Sequence, residues 1–302
     1  MFSVPNDFAI VTRFVRNLRG GSQPFLAQAS DRLLYVVKLV DNLQGENLLF
    51  NESAGSELYR ACGLAVPKWK PLMITDAFLD KNPDCWMQTP EGSVRPASGL
   101  CFGSRFLGQA GNRLLEVLPG SSLMRIRNRA DFWLEWLIDV CAAHGDHRQA
   151  IIEEESDGWL DAYFVDHGHM FGGPKGNLKK KFTASSYLDP RIYTKLSSEE
   201  LLNFQSVVRA LDTDKLMQRA ESLPADWRQA SALDGFASCL QRLSKPLLVQ
   251  NVLDTIIDAQ QRRTESKQRI QGSERKPVQA VLYPGIPAPG FAASYASHPA
   301  CA

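Results

Sequence analysis

The sequence lacks the features that mark several protein classes. Its six cysteines, at positions 62, 85, 101, 141, 239 and 301, are scattered and form no CxxC pair. This favours reduced cysteines packed in the interior of a cytosolic protein. No apolar run approaches the ~18 residues of a membrane-spanning helix, and no charged-then-apolar signal segment opens the chain. We therefore expect a soluble, cytoplasmic protein without a membrane span.

Charge of either sign is not in excess. The 34 Lys and Arg residues nearly balance the 33 Asp and Glu residues, so the formal net charge is +1, and 44% of the residues are hydrophobic. This balance gives no support to a surface that coats nucleic acid or seeks acidic partners. The length of 302 residues suits two lobes or domains that each bury a core.

Histidine is rare but concentrated. Four of the five histidines lie between residues 144 and 169, in the clusters His-Gly-Asp-His at 144–147 and Asp-His-Gly-His at 166–169. Each cluster contains one aspartate and follows an apolar segment. The working groups are either the histidines or the two aspartates, and the two hypotheses lead to different chemistry.

A predicted helix precedes the first cluster. It covers residues 131–143, and Asp131 at its start is a good N-cap. Its apolar residues recur at helical spacing, at Phe132, Trp133, Trp136, Leu137 and Val140. We therefore expect Asp146 just past the end of a buried helix.

A predicted hairpin leads to the second cluster. The pair Asp157-Gly158 indicates a hairpin turn, and residues 159–165 are typical of a strand that ends at Asp166. Together with the helix, this order brings Asp146 and Asp166 close, although they are 20 positions apart in the sequence. Two aspartates in this order are typical of the lower half of a kinase active site, where the loop aspartate orients or deprotonates the acceptor hydroxyl and the strand-end aspartate holds Mg²⁺.

The upstream sequence has the other parts that a kinase needs. Three strands are predicted, at residues 8–15, 25–27 and 33–40. The turn between the first two contains Gly20 and Gly21, which leave backbone amides free to approach phosphate. The third strand contains Lys38, and a lysine in an apolar strand is costly unless it is paired. The helix predicted over residues 48–62 offers two candidate partners, Glu52 and Glu57, and ends at Gly63.

These motifs, in this order, resemble the HipA-like kinases. The matching pieces are Arg-Gly-Gly-Ser-Gln at 19–23, Tyr-Val-Val-Lys at 35–38, Asn-Glu at 51–52, Gly-Leu-Ala-Val-Pro at 63–67, the Asp146 loop, and Asp-His-Gly at 166–168. The resemblance runs from about residue 8 to 175. It implies an α+β, two-lobed protein-kinase-like fold with a strand-rich N-lobe and a mainly helical C-lobe, and it implies ATP and Mg²⁺ as cofactors.

The resemblance also implies roles for individual residues. Lys38 would hold the nucleotide phosphates and Glu52 would pair with it. Asp146 would be catalytic, and Asp166 would be the metal ligand. The glycine turn, with Gly20, Gly21 and Ser22 as its nucleotide-binding residues, would cover the phosphates.

One position departs from the family pattern. The family has an asparagine, the second metal ligand, five residues after the catalytic aspartate, and here that position is Ile151. Gln149 is the nearest amide, and we expect it to be the second metal ligand. The departure also favours an alternative, a degenerate kinase fold that binds nucleotide without catalysis.

The histidines support a second alternative. The two clusters together contain enough ligands for one or two transition metals, as in a metal-dependent hydrolase, namely His144, Asp146, His147, Asp166, His167 and His169. That hypothesis leaves Lys38 and the glycine pair unexplained. The kinase hypothesis explains all of these features.

We therefore predict three parts in the chain. Residues 1–105 form the N-lobe, residues 106–268 form the C-lobe with helices at 201–211 and 246–263, and residues 269–302 are a disordered tail rich in Pro, Gly, Ser and Ala. The lysines at 179–181 are expected in a solvated loop. The acceptor is expected to be a Ser/Thr hydroxyl on a protein, with lipid and small-molecule hydroxyls left open.

Overall fold

The computed structural model describes residues 8–107, 113–115, 118, 120–177, 190–193 and 195–258. The lysines at 179–181 and the tail at 269–302 lie outside these ranges, as does the last part of the helix predicted to end at residue 263. The described strands are β1 (Ala9–Asn17), β2 (Phe25–Ala29), β3 (Leu34–Lys38), β4 (Trp69–Ile74), β5 (Met87–Thr89), β6 (Gly92–Val94), β7 (Gly99–Arg105), β8 (Arg113–Leu115), β9 (Gln149–Glu154) and β10 (Leu160–Val165). The described α-helices are α1 (Leu48–Ala61), α2 (Asp76–Lys81), α3 (Asp131–Ala142), α4 (Ser198–Arg209), α5 (Thr213–Glu221), α6 (Ala230–Leu243) and α7, described over residues 246–258.

A five-stranded barrel forms the N-terminal part. Its strands close in the order β1-β2-β3-β7-β4, with β1 and β4 parallel and the other neighbours antiparallel. Successive side chains of a strand point to opposite faces, so one set from each strand fills the barrel; these include Val11, Phe25, Val37, Leu72 and Cys101. The barrel fixes β3, and therefore fixes the backbone at Lys38.

Helix α1 follows the barrel's third strand and is buried nearly all round. Its predicted range agrees with the structure to one residue, and Gly63 follows it with φ +80°, a left-handed conformation that glycine adopts without a steric penalty. The helix buries the polar side chains Asn51, Glu52, Ser53 and Ser56 as well as its apolar ones. Because buried polar groups need partners, these side chains require hydrogen bonds inside the protein, such as the one that Ser53 donates to Leu49 O of its own helix.

The predicted hairpin is present as β9 and β10. Gln149 pairs with Val165 at its open end and Ile151 pairs with Tyr163, while the turn contains Gly158 at φ +81°. Strand β8 pairs with the other edge of β9. The register brings Gln149 next to the residue that precedes Asp166.

Helix α3 differs in two details from its prediction. Asp131 is the first helical residue, not the N-cap, and Ala130 occupies the N-cap position. Trp136 and Val140 are only half-buried, whereas Glu135 and Asp139 are fully buried. The helix packs with α6 and the hairpin in a hydrophobic core separate from the barrel interior. It therefore has no polar face toward solvent.

Two expectations from the composition concern the cysteines, predicted to be reduced and buried, and membrane-spanning helices, predicted to be absent. The five cysteines in the described ranges are free and buried. None of the helices in the described part of the chain is long and apolar enough to cross a membrane.

Candidate active site

Lys38 lies between two carboxylates. It is the last residue of β3 and is only 7% exposed. Its Nζ donates to Glu52 Oε1 at 2.5 Å and to Asp166 Oδ1 at 2.7 Å. The ammonium group of Lys38 is therefore the point where the barrel, helix α1 and the segment after β10 meet.

The charge balance explains the protonation of this group. Burial alone would lower the pKa of Lys38, but Asp166 and Glu52 outweigh it and raise the pKa above its ordinary value. Burial would likewise raise the pKa of Asp166, but Lys38 lowers it below the ordinary range. For Glu52, burial raises the pKa and Lys38 opposes this. The ammonium and the Asp166 carboxylate are thus a charged pair at neutral pH.

Glu52 also fixes the backbone around Asp166. Its carboxylate accepts from the backbone N–H of His167 at 3.2 Å and of Gly168 at 2.8 Å. The neighbouring Asn51 donates its side-chain amide to the carbonyl oxygens of Gly168 and Met170, both at 2.9 Å. Helix α1 therefore holds the segment after Asp166 through side-chain-to-backbone hydrogen bonds.

A glycine on α1 permits this close approach. A Cβ added to Gly55 would lie 2.5 Å from His167 Cβ and 2.8 Å from Met170 Sδ, distances that packed atoms do not reach. The absence of a side chain at this position is therefore required for α1 to contact the Asp166 segment.

Asp166 adopts an uncommon backbone conformation. Its φ is +64°, in the left-handed region that aspartate tolerates better than most residues but that still carries strain. Gln149 Nε2 donates to its Oδ2 at 2.6 Å, and 29% of the Asp166 side chain is exposed. Held by Lys38 and Gln149, the carboxylate remains accessible from outside.

Asp146 lies in the loop between α3 and β9. Its carboxylate accepts from the backbone N–H of His147 at 2.7 Å and lies 4.0 Å from His169 Nε2, with 46% of the side chain exposed. Gly145 N donates to His169 O at 3.0 Å. The Asp146 loop and the segment after Asp166 are therefore neighbours, as the sequence order predicts.

The glycine turn lies against the segment that follows β3. Gly20 has φ +141°, a conformation open to glycine and strained for other residues. Gln23 N donates to Gly20 O at 3.0 Å. The carbonyl of the buried residue Ser22 accepts from Asn42 Nδ2 at 2.8 Å, and Gly21 faces the Gln44 side chain. The turn is thus tied to the chain a few residues beyond Lys38.

The structure gives the surroundings of Glu57, the other candidate partner of Lys38 on α1, and of Ile151, the residue on β9 that departs from the family pattern. Glu57 does not face Lys38, because it accepts from Arg60, Trp69 and Arg219 instead. Ile151 is half-buried in β9 and, being two positions after Gln149, lies on the same face of the strand. An apolar side chain therefore stands where the resemblance implies a metal-binding amide.

The histidines are divided between interior and surface. His144 and His167 are buried, and burial lowers the pKa of both imidazoles. His147 is exposed, and His169 is partly exposed beside Asp146. Within the described ranges, no three His, Cys, Asp or Glu side chains are grouped so that they could hold a metal ion. The arrangement gives no support to the hydrolase alternative.

A buried polar cluster was not predicted from the sequence. Arg148 is 1% exposed and contacts Glu135 and Asp139 of α3, and Asp139 also accepts from the Tyr59 hydroxyl at 2.6 Å. A sequence signal existed: Glu135 and Asp139 are four apart, so they share one side of a helix whose other residues are mostly apolar. Such carboxylates need a buried cation.

Comparisons with known proteins concern the fold. No family model matches the sequence, and no curated protein does. The crystal structure of a Helicobacter pylori proinflammatory kinase, CtkA, is similar with a TM-score of 0.52 and 12% identity, over 81% of this chain and 94% of that chain.

Two structures of the Golgi casein kinase are also similar to this chain. The first has a TM-score of 0.45 and 15% identity, over 80% of this chain and 73% of that chain. The second, with Mn/ADP bound, has a TM-score of 0.44 and 13% identity, over 81% and 73%. The predicted α+β kinase-like fold is confirmed, and at this identity the likeness concerns the fold alone.

Proposed function

We propose that this protein is an ATP- and Mg²⁺-dependent phosphotransferase of the HipA-like kind that phosphorylates a Ser/Thr hydroxyl on a protein. The observation that carries the proposal is the position of Lys38 Nζ, 2.5 Å from Glu52 and 2.7 Å from Asp166. A strand lysine, a helix glutamate and a strand-end aspartate in contact are the parts that hold nucleotide phosphates and metal in kinases.

The residues present fit a nucleotide. An ammonium has three N–H donors, and Lys38 uses two of them on Glu52 and Asp166, so one donor is left for a phosphate oxygen. The turn with Gly20 and Gly21 would offer backbone N–H groups to further phosphate oxygens. Bound ATP would supply the transferable phosphoryl group.

The oxygens near Asp166 fit a hard cation. Carboxylate and amide oxygens are the ligands that Mg²⁺ prefers. Asp166 supplies a carboxylate, and the side-chain amide of Gln149, whose nitrogen donates to Asp166 Oδ2, supplies an amide oxygen beside it. We propose these two as the metal-binding residues. Lys38 would then keep the Asp166 carboxylate ionised and oriented.

Asp146 is the proposed catalytic residue. Its side chain is 46% exposed, so an acceptor hydroxyl can reach it, and the loop is held by the Gly145–His169 backbone hydrogen bond. A carboxylate held in this way orients the hydroxyl and accepts its proton. The buried free thiols support a reducing, cytoplasmic location for the reaction.

A second candidate function is nucleotide binding without phosphoryl transfer. Ile151 favours it, because an apolar side chain in β9 replaces an amide that would complete the metal site. In that case the Lys38–Glu52–Asp166 contact would serve binding alone.

Incubation of the purified protein with γ-labelled ATP and Mg²⁺ tests the proposal. We expect label on the protein itself or on a Ser/Thr peptide mixture, lost in the Lys38→Ala and Asp146→Asn variants. Nucleotide binding without label transfer would favour the second candidate. Absence of nucleotide binding by the wild-type protein would overturn both.

A further inference from the structure

Arg148 is a buried cation in the loop that carries Asp146. It lies two residues after Asp146 and is 1% exposed. Its Nε is 3.2 Å from Glu135 Oε1 and 3.1 Å from Asp139 Oδ2, and its second terminal nitrogen donates to Asp139 Oδ1 at 2.6 Å. Helix α3 therefore holds the guanidinium from one side.

The other side of the guanidinium reaches both neighbours of Asp166. Its first terminal nitrogen donates to Val165 O at 3.0 Å and lies 3.3 Å from His167 Nδ1. Val165 precedes Asp166 and His167 follows it. One side chain from the Asp146 loop thus contacts the chain immediately before and immediately after the proposed metal ligand.

Stability alone is a weak reason for such a cluster. Burying ions costs several kcal/mol for each ion, and apolar residues of similar size often stabilise a core at least as well. Here both Glu135 and Asp139 are fully buried with Arg148. What the planar guanidinium adds is geometry, since its donors point in fixed directions and hold several acceptors at once.

The pKa values of the two carboxylates in the cluster are shifted in opposite directions. Burial by itself would raise the pKa of Asp139, but Arg148 lowers it below the ordinary range. Burial raises the pKa of Glu135 well above its ordinary value, and Asp139 raises it further. Asp139 therefore pairs with Arg148 as the anion, while the charged form of Glu135 is disfavoured.

Tyr59 joins helix α1 to the same cluster. Its hydroxyl donates to Asp139 Oδ1 at 2.6 Å, and the Arg148 Cζ lies 4.9 Å from the centre of its ring, within the range of a cation–π interaction. Tyr59 is seven residues after Glu52 on α1, so the two side chains lie on the same face. The helix that contacts Lys38 is therefore also fixed to the Asp146 loop.

We propose that Arg148 is a positioning residue that holds the Asp146 loop in register with Asp166, with Asp139 and Tyr59 as its anchor. The inference rests on the proposed function for its catalytic meaning. The geometric part does not require activity, because it states which segments lose their fixed positions when the guanidinium is changed.

Backbone amide hydrogen exchange on the whole chain tests the geometric part. In Arg148→Lys, which keeps the charge and loses the planar donors, we expect exchange to be about 10-fold faster in residues 144–147 and 166–170. Exchange in α6 should match the wild-type protein. Arg127→Lys is the matched control, because Arg127 also spans two carboxylates, Asp157 and Asp161, but is exposed.

Kinetics test the catalytic part. We expect Arg148→Lys to lower kcat for phosphoryl transfer about 10-fold or more, as a misplaced catalytic group does, with nucleotide Kd measured without Mg²⁺ changed less than about 3-fold. Glu135→Gln keeps a side-chain oxygen that can accept from Arg148 Nε and should change both less than Arg148→Lys does. If Arg148→Lys does not fold, Tyr59→Phe, which removes one hydrogen bond from Asp139, is judged by the same criteria.

The outcomes separate this inference from the proposed function. Exchange that is unchanged, or that rises equally in α6, would overturn the positioning role. A fall in Mg²⁺-free nucleotide affinity that matches the fall in kcat would also overturn it. A wild-type protein without transferase activity would overturn the proposed function, while the exchange pattern would still decide whether Arg148 fixes the two segments.

Discussion

Lys38 and Asp166 are 128 positions apart in the sequence, and their side chains form an ion pair of 2.7 Å. The pair joins the barrel to the end of the β9–β10 hairpin, and Glu52 from α1 completes it. Three separate elements must therefore be in place before this group of charges exists. This dependence makes the site sensitive both to local substitution and to ligands.

The first prediction concerns Lys38. A ligand at about 100 times its Kd stabilises a protein by about 2.7 kcal/mol, so ATP with Mg²⁺ should raise the melting temperature of the wild-type protein. Lys38→Ala should lose most of this shift, because the phosphates lose their ammonium donor. Lys70→Ala, in strand β4 of the same barrel, is the control and should keep it. Differential scanning fluorimetry measures both, and an undiminished shift in Lys38→Ala would contradict the proposed role.

The second prediction concerns Asp166. Asp166→Asn keeps the size of the side chain and removes its charge, so the metal-dependent part of nucleotide binding should disappear. His169→Ala should have a milder effect, because its contact is with Asp146. Isothermal titration with ADP, with and without Mg²⁺, measures the difference. Zinc, iron or manganese that copurifies stoichiometrically and is lost in His147→Ala would favour the hydrolase instead.

The third prediction separates catalysis from binding. Asp146→Asn should keep ATP affinity within a few-fold, because Asp146 contacts neither Lys38 nor Asp166 directly among its described hydrogen bonds. Phosphoryl transfer should fall by about 10² or more, as expected for the loss of a positioned base. Label transfer from γ-labelled ATP at saturating nucleotide measures this fall. Equal transfer by the variant and the wild type would remove Asp146 from the mechanism.

The fourth prediction concerns the metal requirement. Gln149→Ala removes the amide that contacts Asp166, so a higher Mg²⁺ concentration should be needed for half-maximal transfer. Ile151→Asn places an amide on the same face of β9 and should lower that concentration. The control is Ile152→Val, which removes one methylene group on the opposite, buried face of β9. A Mg²⁺ titration that is identical for Gln149→Ala and the wild type would exclude Gln149 as a ligand.

The fifth prediction concerns stability in mild acid. Burial lowers the pKa of His144 below its ordinary value of 6.5, so the unfolded chain binds a proton there before the folded one does. The stability from this group is present above pH 6.5 and is lost as the pH falls, by up to about 1.4 kcal/mol per pH unit. His144→Leu should reduce the loss, and His147→Ala, at an exposed position, should not.

Urea unfolding at pH 7.5, 6.5 and 5.5 measures this effect. Asp131 contributes with the opposite sign, because burial raises its pKa to about 6 and its protonated form is favoured in the folded protein. The quantity to compare is therefore how the free energy of unfolding changes with pH in one variant relative to another, and not the total change with pH in one protein. Equal slopes for His144→Leu and the wild type would show that His144 is not the group responsible.

Local patterns in the sequence determined most of the elements around the site. Short runs rich in apolar and β-branched residues predicted the first three strands, the Asp157-Gly158 pair predicted the hairpin, and Gly63 marked the end of α1 to within one residue. These signals are local, because strand alternation, turn conformations and helix caps depend on neighbouring residues. The resemblance of the motifs to a kinase family then implied the α+β kinase-like fold.

Only the tertiary structure decided which side chains meet. Glu52 and Glu57 are both acidic residues of one helix, and only the family resemblance at residues 51–52 favoured Glu52. The packing places Glu52 against Lys38 and Glu57 against Arg219. Arg148 was not predicted as buried, because a lone arginine in a loop is normally solvated. Its burial requires carboxylates from α3 and a hydroxyl from α1. Pairing of buried charges depends on contacts between distant segments, and a single sequence does not specify these by any local pattern.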